Sequence, residues 1–154
     1  MKKQDYTLRI GLSMFAVIVA FFFLMKILGL EHITELRFFN IVIVAYFSNR
    51  LAKMMVEDAN QINYLDGLRS IFLANGLNVA LSIIGLVIYT GFIDTNFMSH
   101  FSHSLMFGDD ITLVQMVIGV FMEGMAGAAI ISFATMQYWK NVKRTTRKIN
   151  LYKV

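Results

Sequence analysis

Apolar residues in this chain come in long blocks rather than at the spacing of one amphipathic face, and such blocks predict helices that cross a membrane. The first runs from Ile10 to Met25 without a charge, meets Lys26 and continues to Leu30. A lysine near a helix end can carry its ammonium to the interface on its own alkyl stem, so a span over 10–30 is expected. A cleaved signal peptide would need a small-x-small site after the run; none follows, and the helix is read as retained. The second block is the weakest. Phe38–Asn49 is uncharged for only 12 residues, between Arg37 and Arg50. By itself it could be an interfacial helix as readily as a span over 36–52.

The third block, Ser70–Ile93, gives 24 uncharged residues, and Asp66-Gly67 before it is read as a turn. A span over 70–93 follows. Asn75, Asn78, Ser82, Gly85 and Tyr89 are spaced by threes and fours, which lays them along one helical face. Such a stripe serves helix packing through small and hydrogen-bonding groups; the rival reading is a hydrated path. The fourth block, Ile111–Trp139, is 29 residues long and holds one ionisable group, Glu123. Gly119, Glu123 and Gly127 fall on one helical row and Gly124, Ala128 and Ser132 on the next, so this face is expected to meet another helix closely.

Charge then orients the blocks. With both termini inside, the inner segments hold three (Lys2, Lys3, Arg9), three (Arg50, Lys53, Arg69) and six lysines and arginines, the six lying between Lys140 and Lys153. The outer segments hold two, Lys26 and Arg37, and none. Cytoplasmic loops carry the excess of basic residues, so this asymmetry predicts an even number of crossings and brings the weak second block into the membrane. The fold expected is an all-α integral membrane protein with four transmembrane helices and both termini cytoplasmic, in a bacterial inner membrane.

Composition agrees. Of 154 residues, 57% are hydrophobic and 16% charged, against about a quarter charged in soluble domains. The segments between blocks are too short to fold a separate soluble domain. There are no cysteines and no prolines, which removes disulfides, thiolate metal sites, a cysteine nucleophile and proline-broken spans. The net charge of +4 reflects basic residues gathered at membrane flanks and is no sign of nucleic acid.

Chemistry is sparse. Nucleophile elbows, phosphate loops, dinucleotide fingerprints and HExxH are missing, and His32, His100 and His103 fall outside the blocks, so no haem site forms between spans. No enzyme activity and no cofactor are expected. His100 and His103, with Asp94, Asp109 and Asp110 nearby, are zinc-ligand types, but two surface histidines are the simpler reading and no metal is expected. The stretch 96–106 has Phe97, Phe101 and Leu105 four apart, an amphipathic helix for the membrane surface within the outer loop 94–110. Asp109 and Asp110 are expected to cap the last helix.

Glu123 is the leading functional candidate. A carboxylate in mid-membrane costs at least a few kcal/mol unless it is protonated, paired or hydrated. Counting inward from the outer ends puts Ser82 level with it on the third helix, and Tyr46–Ser48 on the second. Three roles stay open: a packing group bonded to the stripe of Asn75, Asn78 and Ser82, a partner to a cation of another subunit, or a carrier of protons or cations. After Tyr138 and Trp139, which suit an interface, Lys140, Lys143, Arg144, Arg147 and Lys148 form an acid-free tail expected to bind anionic headgroups.

Tyr64-Leu65-Asp66-Gly67-Leu68, an apolar helix ending Val87-Ile88-Tyr89, then Ile93-Asp94 and Asn96-Phe97-Met98, resemble a family of uncharacterised four-helix membrane proteins common in Bacteroidetes. Its pattern often has proline after the aspartate, where this chain has Thr95. The resemblance covers the second half of the chain and implies the fold but no activity. The function expected is a non-catalytic membrane subunit or adaptor that binds lipid and packs as a homo-oligomer or with a larger membrane partner. The alternative is a proton- or cation-coupled transport component using Glu123.

Overall fold

The computed structural model describes residues 3–29, 38–58, 63–93 and 112–151, with side chains at 5–29, 39–56, 63–92 and 112–140. Four helices make up these residues: α1 (Lys3–Ile27), α2 (Phe38–Asp58), α3 (Tyr64–Ile88) and α4 (Leu113–Leu151). A π-helical turn, Tyr89–Ile93, prolongs α3. The loop 94–110, with its amphipathic stretch and histidine pair, lies outside the described residues, as do the tail side chains beyond Lys140.

Local chemistry sets the helix ends. α1 stops where Gly29 takes a positive φ of 67° and donates its N–H to the Lys26 carbonyl, the left-handed cap that a residue without Cβ adopts without strain. α3 begins at Tyr64, so Asp66-Gly67 is not a turn but part of its first helical turn. An aspartate there is favoured by the partial positive charge of the helix N-terminus, and the Gly67 N–H bonds to the Asn63 carbonyl. Thr112 precedes the first turn of α4, and Asp109 and Asp110, expected as caps, lie outside the described residues. The Thr112 N–H donates to Gln115 Oε1 at 2.9 Å and the Gln115 N–H returns to Thr112 Oγ1 at 3.4 Å, a capping box.

The helices run alternately up and down. α1 packs on α2 and α3, α4 packs on the same two, and α2 meets α3 across the middle. The tightest core sits at one end of the bundle, where Ile10 and Met14 of α1, Leu51 and Met55 of α2, Ile71 and Ala74 of α3, and Met136 of α4 are all buried. The start of α1 and the later part of α4 therefore share an end. Tyr6 and Trp139 pack against this cluster, and the Trp139 indole donates to Asn49 Oδ1 at 2.8 Å. Arg9, Arg50, Lys53, Arg69 and Lys140 are exposed along the segments that form this end.

Among the described residues, three helices are long and apolar enough to cross a membrane: Asp5–Ile27, Tyr64–Phe92 and Leu113–Lys140. α2 is not among them. Arg50 and Lys53 interrupt its second half, where one face nevertheless supplies Leu51, Ala52 and Met55 to the core. Between lipid and a lipid-like core there is little hydrophobic gain, so close contact and side-chain hydrogen bonds hold such helices together. Two glycines permit the close contacts. A Cβ on Gly11 would lie 3.1 Å from the Ala74 carbonyl oxygen, and one on Gly124 would lie 2.9 Å from both Val79 methyls. α3 is thus gripped by α1 on one side and by α4 on the other.

Candidate functional site

The polar residues of α3 divide between two neighbours. Near its middle, Asn75 is buried and links three helices. Ser48 Oγ of α2 donates to Asn75 Oδ1 at 3.0 Å, Asn75 Nδ2 donates to Ser132 Oγ of α4 at 3.1 Å, and Ser132 Oγ donates to the Ala128 carbonyl at 2.6 Å. Each of these buried groups finds a partner, which makes the chain of bonds a fastener rather than a burden. Gly85 and Tyr89 instead face α1. Gly85 lies beside the Phe15 ring, and Tyr89 meets Phe22 edge to face with centroids 5.1 Å apart. Lys26 Nζ donates to the Tyr89 hydroxyl and lies 4.6 Å from the ring centroid, so this lysine is held against α3.

Between α2, α3 and α4, next to the Asn75 fastener, lies a cleft of about 220 Å³. Asn40 of α2, Asn78 and Ser82 of α3, and Glu123 and Gly127 of α4 border it, with Val79, Val120 and Ile131 as apolar walls. Asn78 is 5% exposed. Among the described residues, the side-chain oxygens of Asn40 and Asn78 are buried and accept no hydrogen bond. Glu123 is exposed on the flank of the chain. It stands ten residues, ~15 Å, along α4 from Leu113.

The two small-residue rows of α4 have different tasks. Gly124, Ala128 and Ser132 make the contact with α3, and Ala128 and Ser132 are buried there. Gly127 has open space where a Cβ would go, and Gly119 is half-buried. The row bearing Glu123 therefore lies at the cleft mouth. Ser82 and Glu123 border the same cleft. On α2 the residues there are Asn40, Ile41 and Val44 rather than Tyr46–Ser48. Tyr46 points outward and Ser48 is committed to Asn75, because α2 enters the bundle at Phe38 and brings its first turns to the cleft.

Asn40 was legible as a polar interruption of an apolar run, but nothing in the sequence sets its register against Glu123. Of the tail cations, Lys140 alone has a described side chain. Its Nζ lies 5.4 Å from the Tyr64 ring centroid on α3. Comparison with family models, curated proteins and solved structures returns no match.

Proposed function

We propose that this chain is a four-pass, non-catalytic subunit or adaptor of a bacterial inner membrane, which packs through its α2/α4 flank with a second copy or a larger membrane partner. The observation that carries this is Glu123. It is exposed on the flank of the single chain, at a depth where lipid is a poor neighbour for a carboxylate. The open space beside Gly127 leaves room for a helix to approach.

The four-pass topology has its own support. α1, α3 and α4 are each able to cross, and the start of α1 shares a bundle end with Met136 and Trp139. Ends on the same side require an even number of crossings, so α2 makes the fourth. Arg50 and Lys53 then join the basic, cytoplasmic end. The likeness to the Bacteroidetes four-helix family fits this topology and adds no activity.

The test is recovery of the native complex in mild detergent with Glu123→Gln beside the natural chain. Gln keeps size and hydrogen-bonding capacity but removes the charge. If Glu123 meets a cation of the partner, the variant leaves that cation buried without a counter-charge at ~3–5 kcal/mol, and recovery falls sharply. Undiminished recovery would remove the pairing. A second reading, proton- or cation-coupled transport through Glu123, is favoured by the amide oxygens of Asn40 and Asn78 beside the cleft, which accept no hydrogen bond among the described residues. It expects intact assembly and lost ion flux in the same variant.

A further inference from the structure

We infer that the outer face of α2 binds one anionic phospholipid of the cytoplasmic leaflet, with its phosphate at Arg50, an ester oxygen at the Tyr46 hydroxyl and an acyl chain along Val42 and Phe39; this rests on the reading that α2 crosses the membrane.

Helical spacing sets these four residues in one row. Phe39, Val42, Tyr46 and Arg50 follow one another at threes and fours, and neighbours on such a row stand about 5–6 Å apart at Cβ. The opposite face of α2 is buried through Ser48, Leu51, Ala52 and Met55. Phe39, Val42 and Tyr46 are each more than half exposed, and Arg50 is exposed with them.

Polarity along the row is graded as it is along a lipid. Phe39 and Val42 are apolar, Tyr46 carries a hydroxyl, and Arg50 ends the row on a guanidinium. Asn49, next to Arg50, accepts the Trp139 indole N–H at 2.8 Å, and tryptophan is a residue of the membrane–water interface. Arg50 therefore stands at headgroup level. Phe39 lies eleven residues, ~16 Å, deeper along α2, close to one leaflet, half of a ~30 Å core. Tyr46 lies four residues, ~6 Å, below Arg50, at the depth of the ester oxygens beneath a phosphate.

Two groups on the row call for this occupant. Among the described residues Arg50 makes no ion pair and the Tyr46 hydroxyl no hydrogen bond. Lipid tails give neither donor an acceptor, whereas a phosphate suits the guanidinium and an ester carbonyl suits the phenol. Arg9, Lys53, Arg69 and Lys140 are exposed at the same end of the bundle, against Asp5 and Asp66, so the surroundings favour an anionic headgroup over a zwitterionic one. Glu57 follows Lys53 by four residues, the spacing of an intrahelical ion pair, so Arg50 is the cation on which the site depends.

The experiment titrates phosphatidylglycerol onto the purified full chain in neutral detergent and follows bound lipid by native mass spectrometry, beside phosphatidylcholine with the same acyl chains. The natural chain should hold one phosphatidylglycerol about tenfold more tightly than phosphatidylcholine. Arg50→Gln should weaken that binding about tenfold, the loss of a charge-assisted hydrogen bond, and Tyr46→Phe about threefold, the loss of a neutral one. Both side chains are exposed, so both variants should keep the melting temperature of the natural chain. Arg9→Gln removes the same charge from α1 at the same end and should change binding less than about twofold. Equal retention of the two lipids would overturn the inference. An equal fall in Arg9→Gln and Arg50→Gln would overturn it too, because the basic end would then attract anions without a site on α2. Competition by soluble glycerol phosphate at the lipid's own concentration would reduce the site to a phosphate contact and remove Val42 and Phe39 from it. Each of these results leaves four crossings standing, since thiol labelling of the topology decides that reading separately.

Discussion

At the scale of residues, glycine and asparagine do different work on the same helices. Gly11 permits the closest approach of α1 to α3, because its missing Cβ would stand 3.1 Å from a backbone oxygen and 3.0 Å from Leu77 Cδ2. A leucine tip can swing away, but a carbonyl inside a helix cannot. Gly11→Ala should therefore destabilise the bundle by ~1–3 kcal/mol, the usual cost of overpacking. Gly76→Ala, where the new methyl meets open space, should be neutral or slightly stabilising through helix propensity. Thermal unfolding of both variants in one detergent checks this; equal melting temperatures would show that the α1–α3 contact is not tight. Glu123 and the stripe of Asn75, Asn78 and Ser82 could be read from the chain because polar residues inside apolar blocks stand out. Gly11 could not, since a glycine near the start of an apolar run looks the same whether it faces lipid or a neighbouring backbone.

At the scale of elements, the apolar blocks locate the helices well and their ends less well. Hydropathy registers where charge stops, whereas a helix continues until its backbone is capped. α3 thus begins six residues before its apolar block, at Tyr64 rather than Ser70, and takes Asp66 into its first turn. The cap of α4 was legible as Thr112-x-x-Gln115 but is overshadowed by two aspartates just before it. The register of α2 was not legible. Depth counted from block ends assumes that every helix starts at the same level, and α2 contributes its first turns to the cleft. α4 is 39 residues long, ~58 Å at ~1.5 Å per residue, so its basic end outruns any hydrocarbon core. The sequence from Lys140 to Val154 carries six cations and no acidic side chain, five of the cations within α4. A peptide of this segment should bind anionic vesicles at low salt, lose most of that binding as salt is raised, and bind neutral vesicles poorly. Equal binding to both vesicle types would assign the segment to a protein partner.

At the scale of the whole molecule, the bundle has a closed end and an open flank. Met14, Leu51, Ile71 and Met136 close the end that gathers Arg9, Arg50, Lys53, Arg69 and Lys140. The flank opens beside Glu123. Both functional readings depend on where that flank lies, and its depth depends on four crossings. The chain has no cysteine, so single cysteines can report topology without background. The most direct test places them at Gln4, Ser102 and Thr146 and labels intact cells with an impermeant thiol reagent. Four crossings predict that Ser102→Cys labels from outside, while Gln4→Cys and Thr146→Cys label only after the cells are opened. Labelling of Gln4→Cys and Thr146→Cys from opposite sides would contradict the account, because α2 would then lie on the membrane rather than across it.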